Sequence, residues 1–170
     1  MWWYDLQQNL GGSFTARARG LPAAKFALRG PKGENLGQLR LRGPSLAEFE
    51  SGDHAATLKR SGRSYRIIAD GEEVLSATPK GRSIEELEIS CGGRTYEAKA
   101  SFFRNLAVAS YPGGERVVRL SGGLTSRSYE VLFAAEDACA LPVTVFLLWH
   151  VASNRRRAYR MESLTRGEAM

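Results

Sequence analysis

The sequence predicts a mainly antiparallel β domain that encloses one apolar helix near its C-terminus. Three observations predict it: short runs of alternating apolar and polar residues, 18 glycines, and one run that is apolar on all sides. Gly reaches positive φ without steric cost, so these glycines suit tight turns between short strands. Roughly ten or more strands at this spacing are typical of a sandwich or a barrel.

The alternating runs are separated by turn residues. Asp70-Gly71 is a two-residue hairpin signal, and the run from Tyr96 to Phe102 has the clearest period of two. One polar face on each run indicates antiparallel pairing with water on one side. Further strands are predicted around Leu39–Leu41, Tyr65–Ala69, Glu73–Thr78, Leu87–Ile89, Leu106–Val108, Val118–Leu120 and Tyr129–Phe133, with weaker ones near Phe26, Phe49 and Leu58.

The segment Leu141–Ala152 predicts the enclosed element. On a helix its apolar side chains cover every side, and only Thr144 and His150 interrupt them. A membrane-spanning helix needs about 20 apolar residues, and this run is shorter. A helix without a polar face must be surrounded by protein, which a barrel can provide. We therefore predict an enclosed helix, with a buried strand as the alternative because several residues are β-branched.

Both ends of this segment carry helix-boundary signals. Pro142 suits a first helical turn, and Asp137 lies shortly upstream as an anion near the positive end of the helix. Three consecutive arginines follow near the negative end. We therefore predict a helix over about 141–153 and a basic tail over 154–170, within one domain that spans residues 1–170.

The sequence carries no catalytic or metal-binding signature. It lacks a G-x-S-x-G elbow, a Walker loop and a dinucleotide fingerprint. Its two histidines and its two cysteines, Cys91 and Cys139, are not spaced as metal ligands or as a disulfide framework. We therefore expect no enzymatic activity, no cofactor and no metal. The N-terminus has no signal-peptide pattern, which predicts a reducing, cytoplasmic setting.

The formal charge of +6 is unevenly distributed along the chain. Residues 17–66 hold eleven basic and four acidic side chains, a net charge of +7, whereas residues 67–100 carry a net charge of −3. Such asymmetry predicts one face attracted to lipid headgroups, nucleic acid or an acidic protein. The alternative is a solvated surface in an arginine-rich chain.

Two predicted turns concentrate the basic residues of the N-terminal half. One turn surrounds Gly30–Glu34 and the other surrounds Ser61-Gly62. Taken as adjacent, the two turns predict a site that holds a polyanionic headgroup through charge-assisted hydrogen bonds. The candidate binding residues are Lys25, Arg29, Lys32, Lys59, Arg60, Arg63 and Arg66.

Nucleic acid is a weaker alternative partner. Binding of single strands requires exposed aromatic residues among basic ones, whereas Tyr65, Tyr96 and Phe133 fall in phase with apolar positions. The segment Trp2-Trp3-Tyr4 is the exception, and it predicts either an exposed clip or a first strand packed across the barrel. A protein-interaction domain with no small ligand is the other alternative.

The chain resembles the tubby C-terminal-like superfamily, which includes tubby domains, phospholipid scramblases and LURP-one-related proteins. Ser128–Phe133, the acidic pair Glu136-Asp137 and the run Leu141–Val151 look like the scramblase-type ending, a strand and an acidic link before a central hydrophobic helix. Phe26–Leu39 is similar to the early hairpin of LURP-one-related chains. In outline the resemblance covers about residues 25–152.

The resemblance implies a fold and a partner. The fold is a closed antiparallel barrel of about twelve short strands around a buried hydrophobic C-terminal helix, and some members bind phosphoinositides or other membrane lipids. The chain lacks a cysteine-rich palmitoylation tract, a proline-rich N-terminal region and an acidic calcium-binding signature after the last strand. Scrambling is therefore not implied. The expected function is non-enzymatic binding of anionic phospholipid headgroups by a cytoplasmic protein, peripheral at the membrane, with no transmembrane segment.

Overall fold

Twelve β-strands form one closed antiparallel barrel in a computed structural model, which describes residues 2–20 and 24–168 and the side chains up to Arg155. Each strand pairs with its neighbours in the chain, and the first strand closes the barrel by pairing with the last. The predicted fold class is therefore confirmed. The elements are α1 (Trp2–Gln8), β1 (Ser13–Arg19), β2 (Lys25–Arg29), β3 (Asn35–Gly43), β4 (Leu46–Ser51), β5 (His54–Ser61), β6 (Ser64–Ala69), β7 (Glu72–Pro79), β8 (Glu86–Cys91), β9 (Arg94–Ser101), β10 (Leu106–Ser110), β11 (Arg116–Gly122), β12 (Ser128–Phe133) and α2 (Ala140–Glu168).

The apolar C-terminal segment is a helix that fills the barrel. Every residue from Leu141 to Ala152 is buried, as the prediction of an enclosed helix requires. Within the described residues, no helix has a stretch that is both long and apolar enough to cross a membrane. The large side chains Phe146 and Trp149 are almost fully buried, so the helix supplies much of the bulk of the core.

The barrel wall makes room for this helix with small side chains. On β10 the sequence pattern indicated Leu106 and Val108 as the apolar strand positions, but the buried residues are Ala107 and Ala109. A barrel of eight strands is filled by its own side chains, so a wider one needs a central element to fill it. The buried wall alanines are Ala16, Ala47, Ala56, Ala69, Ala77, Ala98, Ala100, Ala107 and Ala109.

The N-terminal aromatic residues form helix α1, and the predictions of an exposed clip or a first strand are both wrong. Trp3 is buried and stacks on Phe49 with ring centroids 5.3 Å apart. The Gln7 Oε1 atom accepts a hydrogen bond of 3.0 Å from the Leu141 N–H. The Gln7 Nε2 atom donates to the Asp137 carbonyl at 2.5 Å. Helix α1 therefore closes one end of the barrel and satisfies a free amide at the start of α2.

Helix α2 is longer than the sequence predicted. It begins at Ala140 and runs for 29 residues to Glu168, whereas the prediction was a helix over about 141–153 and a tail over 154–170. Between Pro142 and Gly167 the sequence has neither proline nor glycine, and it is rich in arginine, alanine and leucine. These residues have favourable helix propensity, so nothing in the sequence ends the helix after residue 153.

His150 is held in the neutral form near the far end of the buried segment. Its Nε2–H group donates to the Ile84 carbonyl at 2.8 Å, and its Nδ1 atom accepts from the Asn154 amide at 3.3 Å. Burial lowers the pKa of His150 to about 4; the positive charge of Arg60 acts in the same direction, against the hydrogen bond to Ile84. Protonation would cost the Nδ1 atom its role as an acceptor.

We predict that the fold loses stability as the pH falls from about 6.5 towards 4. In this window the unfolded chain binds a proton at His150 that the folded chain does not, so acid favours unfolding. The loss is about 2.5 kcal/mol at about pH 4.5, and His150→Gln removes it from the pH profile of urea unfolding. The control is His54→Gln, because His54 is exposed. Equal pH profiles for wild type and His150→Gln contradict this account.

Candidate functional site

The two ends of the barrel carry opposite charge. Because antiparallel strands alternate in direction, successive connections lie at alternate ends. One end, here named the basic end, is formed by residues 20 and 24 and by segments 44–45, 62–63, 80–85, 102–105 and 123–127. These segments hold five basic residues and one acidic residue, a net charge of +4. The charged residues are Arg63, Lys80, Arg82, Arg104 and Arg127, with Glu85 as the acidic one.

The opposite end, here named the acidic end, is formed by the connections that alternate with these. They are segments 9–12, 30–34, 52–53, 70–71, 92–93, 111–115 and 134–139. They hold one basic residue and six acidic residues, a net charge of −5. The barrel is therefore polarised along its axis, and a charged surface attracts one end while it repels the other.

Two apolar side chains project from the basic end. Phe103 is 90% exposed and Leu124 is 93% exposed, and they lie in the β9–β10 and β11–β12 turns. The other large apolar residues exposed in the described part of the chain, Tyr4 and Leu132, are less exposed, at 40% and 58%. Single exposed apolar residues are common on proteins. Two exposed apolar residues in turns at the same end of the barrel, close in sequence to arginines, indicate an interaction surface.

Arg155 clamps the two turns that carry these apolar tips. Its side chain is 5% exposed. One terminal nitrogen donates to the Phe102 and Phe103 carbonyls at 2.7 and 2.8 Å. The other donates to the Leu124 carbonyl at 3.2 Å, and the Nε atom donates to the Ser126 hydroxyl. The planar guanidinium presents several donors in a fixed geometry, so the end of the buried helix sets the position of both tips.

We predict that Arg155→Ala destabilises the fold by about 3 kcal/mol, because it leaves several buried acceptors without donors. Arg155→Lys restores the charge but not the fork of donors, so it recovers only part of the loss. Urea unfolding gives the change in free energy. The matched control is Arg119→Ala, which removes an exposed arginine from β11 and changes stability by at most about 0.5 kcal/mol. Equal stability of the two alanine variants contradicts the clamp.

Five of the seven predicted binding residues lie at or beside the basic end, among them Lys25, the first residue of β2. Lys59 and Arg66 are cross-strand partners on β5 and β6, and both are exposed. The Arg60 guanidinium carbon lies 5.3 Å from the centroid of the Tyr65 ring. The Arg60 Nε atom donates to the Gly62 carbonyl in the β5–β6 turn. Arg63 lies in the β5–β6 turn, where its guanidinium donates to the carbonyl of residue 81 in the neighbouring connection.

The other two, Arg29 and Lys32, lie at or beside the acidic end, so the prediction that the two basic turns are adjacent is wrong. Three strands separate the β2–β3 turn from the β5–β6 turn, and an odd number of antiparallel strands places two turns at opposite ends. Lys32 therefore lies in a turn of the acidic end. Its backbone N–H donates to the Glu34 carboxylate at 2.8 Å.

Lys25 and Arg29 line a groove on the outer wall, with a volume of about 420 Å³. Arg19 is a third cation of the groove, and Glu50 contributes an opposite charge. The groove needs a glycine at position 37, where φ is +142° and a Cβ atom would collide with a backbone oxygen of β4. Its charge is mixed, and large exposed apolar residues do not line it.

A buried carboxylate organises the acidic end. Asp137 is 1% exposed and accepts hydrogen bonds from the Tyr96 hydroxyl at 2.8 Å and from the Cys139 N–H at 2.8 Å. The Tyr111 hydroxyl also donates to it, and this bond raises the pKa of Tyr111 to about 12. Arg94 completes the set with an ion pair of 3.2 Å. With its lone pairs satisfied, Asp137 anchors the start of α2 to the barrel wall.

Phe103, Leu124 and Arg155 are the site residues that the sequence did not reveal. The period-two pattern of β9 was extended to Phe102, although the strand ends at Ser101. Two features of the sequence could have revealed the apolar tips. Phe103 lies next to Arg104 beyond the end of a strand, and Leu124 follows two glycines. The role of Arg155 had no local signal, because its acceptors lie 29 to 53 residues away in the chain.

Comparison with known proteins supports the fold. No family model matches the chain, and no curated protein matches it. The crystal structure of the Arabidopsis thaliana protein AT5G01750 is similar, with a TM-score of 0.57 and 12% sequence identity over 85% of this chain and 95% of that chain. At this level of identity, the similarity shows that the two chains share a fold.

Proposed function

We propose that this protein docks on an anionic phospholipid surface through its basic end. In this arrangement Phe103 and Leu124 enter the interface between headgroups and acyl chains, while the surrounding arginines contact lipid phosphates. The observation that carries the proposal is the presence of both features at one end of the barrel: two apolar tips that are at least 90% exposed and a net charge of +4 in the connecting segments.

The two features act together because neither is sufficient alone. A basic residue near an anionic membrane contributes about 1 kcal/mol, so a net charge of +4 supplies only moderate, salt-sensitive attraction. Partial burial of one Phe and one Leu adds about 3 kcal/mol for the pair. Stable attachment of a peripheral protein generally needs two such signals. The charge attracts the barrel to the surface, and the apolar tips hold it there.

The charge separation supports one orientation. When the basic end faces an anionic surface, the acidic end lies at the far side of the barrel, where the potential of the membrane is screened by salt. The opposite orientation would bring a net charge of −5 against lipid phosphates. Helix α2 reaches the basic end at Arg155, whose guanidinium adds a further positive charge there.

We also infer membership of the tubby C-terminal-like superfamily. The closed twelve-strand barrel with a helix inside it and the fold shared with AT5G01750 support this assignment. The role is that of a non-enzymatic, cytoplasmic domain without a cofactor, peripheral at the membrane.

The apolar contribution is tested by Phe103→Ser combined with Leu124→Ser. We expect the double variant to bind vesicles of phosphatidylcholine with phosphatidylserine about a hundredfold more weakly than wild type, because about 3 kcal/mol of burial is lost. Flotation of vesicles with the protein gives the affinity. The matched control is Leu132→Ser, which removes an exposed leucine from the outer wall and leaves binding unchanged. Wild-type affinity of the double variant contradicts the insertion of these residues.

The electrostatic contribution is tested by two triple variants with the same net charge. Arg63, Arg82 and Arg104 changed to Ser remove three charges from the basic end, and we expect binding to weaken about a hundredfold. Arg29, Lys32 and Arg119 changed to Ser remove three charges from the acidic end and the outer wall, and we expect a change of less than about tenfold.

Each other outcome of this comparison has a definite meaning. Equal losses in both triple variants indicate attraction by net charge alone and contradict a docking end. A loss confined to the second variant assigns the headgroup to the acidic end or the outer wall and contradicts docking by the basic end. If the wild-type protein binds neither neutral nor anionic vesicles, docking on a lipid surface is rejected and a protein-interaction domain is favoured. Wild-type binding should weaken with added salt, since exposed charges are screened.

A further inference from the structure

Cys91 and Cys139 lie together in a pocket at the acidic end, away from the proposed docking surface. Cys91 is the last residue of β8, and Cys139 precedes the first residue of α2. Both are free thiols, and both line one pocket with a volume of about 340 Å³. The pocket is bounded by α1 on one side and by the β6–β7 and β8–β9 turns on the other.

The two sulfur atoms are neighbours. Gly92 follows Cys91 in the two-residue turn between β8 and β9, and a Cβ atom at Gly92 would lie 3.0 Å from the Cys139 sulfur. The Cys139 side chain therefore packs against the backbone beside Cys91, and each thiol is the strongest influence on the pKa of the other. Within the described residues no third histidine, cysteine or carboxylate joins them in a cluster suited to a metal.

The two thiols are chemically unequal. Interaction with Cys91 lowers the pKa of Cys139, against burial, which raises it. Interaction with Cys139, together with burial, raises the pKa of Cys91. Cys139 also directly precedes the first residue of α2, and the N-terminus of a helix favours a thiolate. We therefore assign Cys139 as the nucleophile of the pair.

We propose that Cys91 and Cys139 form a reversible disulfide when a small uncharged hydroperoxide, such as hydrogen peroxide, enters this pocket. The Cys139 thiolate attacks one peroxide oxygen, the O–O bond breaks, and hydroxide leaves, which gives a sulfenic acid at Cys139. Cys91 then attacks the Cys139 sulfur, its proton passes to the leaving oxygen, and water departs. In sum, two thiols and one hydrogen peroxide give one disulfide and two waters.

The pocket selects the class of oxidant. Its volume of about 340 Å³ accommodates a peroxide more readily than a peptide disulfide such as oxidised glutathione. Acidic side chains at Asp70, Glu72 and Glu73 line it together with one basic residue, Arg94, so the lining has a net negative charge that repels anionic reagents. A dithiol reductant reverses the reaction by thiol–disulfide exchange, in which its two sulfurs become oxidised as the two protein thiols are restored.

The disulfide would join the β8–β9 turn to the start of α2. In the reduced protein this start is held by Asp137 and Gln7 through hydrogen bonds. A covalent link between the wall and the helix restricts the conformations that the unfolded chain can adopt. The oxidised protein is therefore expected to unfold at a higher temperature than the reduced one.

The test is treatment of the folded, reduced protein with hydrogen peroxide, followed by peptide mapping without reduction. We expect an intact mass lower by about 2 Da and one peptide pair linked through Cys91 and Cys139, both reversed by dithiothreitol. Oxidised glutathione at the same concentration should form this link more slowly. Absence of the linked peptides while the protein remains folded overturns the proposal, and so does faster oxidation by glutathione disulfide than by peroxide.

Two single variants assign the roles. In Cys91→Ser the nucleophile remains but the thiol that would resolve the sulfenic acid is absent, so we expect a sulfenic acid at Cys139 that dimedone traps. In Cys139→Ser we expect little sulfenic acid at Cys91 under the same treatment. Equal trapping in the two variants overturns the assignment of Cys139 as the nucleophile. Circular dichroism and thermal unfolding of both variants verify that each is folded before the comparison.

Discussion

The structure depends on the enclosure of a helix that has no polar face. From Leu141 to Ala152 every residue is buried, and a helix of this kind is stable only where protein surrounds it on all sides. A closed sheet meets this requirement and also leaves no unpaired strand edge. The alanines of the wall follow from the same requirement, because a large helix and large wall residues cannot occupy one interior at the density of a protein core.

The ends of this helix organise the two ends of the barrel. At its start, Asp137 gathers hydroxyl, amide and guanidinium donors from the surrounding wall, and the thiol pair lies beside it. At the other end, Arg155 holds the turns that present Phe103 and Leu124. One buried element therefore positions a candidate redox pair at the acidic end and a candidate docking surface at the basic end.

Much of the fold could be predicted because its signals are local. Period-two runs identified eleven of the twelve strands, and the run from Leu141 identified the buried helix. Strand β1, helix α1 and the inward phase of β10 were missed. On β10 the inward residues are Ala107 and Ala109, and they are small because they face a helix whose position is not encoded locally. The placement of the two basic turns at opposite ends could have been predicted by counting the strands between them. The contacts of Arg155 could not have been predicted, because its partners are brought together only by closure of the barrel.

Neutron reflectometry of the protein on a supported bilayer that contains phosphatidylserine tests the docking account most directly, because it gives the orientation of the bound molecule. The account predicts a bound layer in which the barrel axis is close to the membrane normal, with Phe103 and Leu124 at the depth of the headgroups. A bound layer in which the barrel lies on its side, with the groove beside Lys25 and Arg29 facing the lipid, would contradict it.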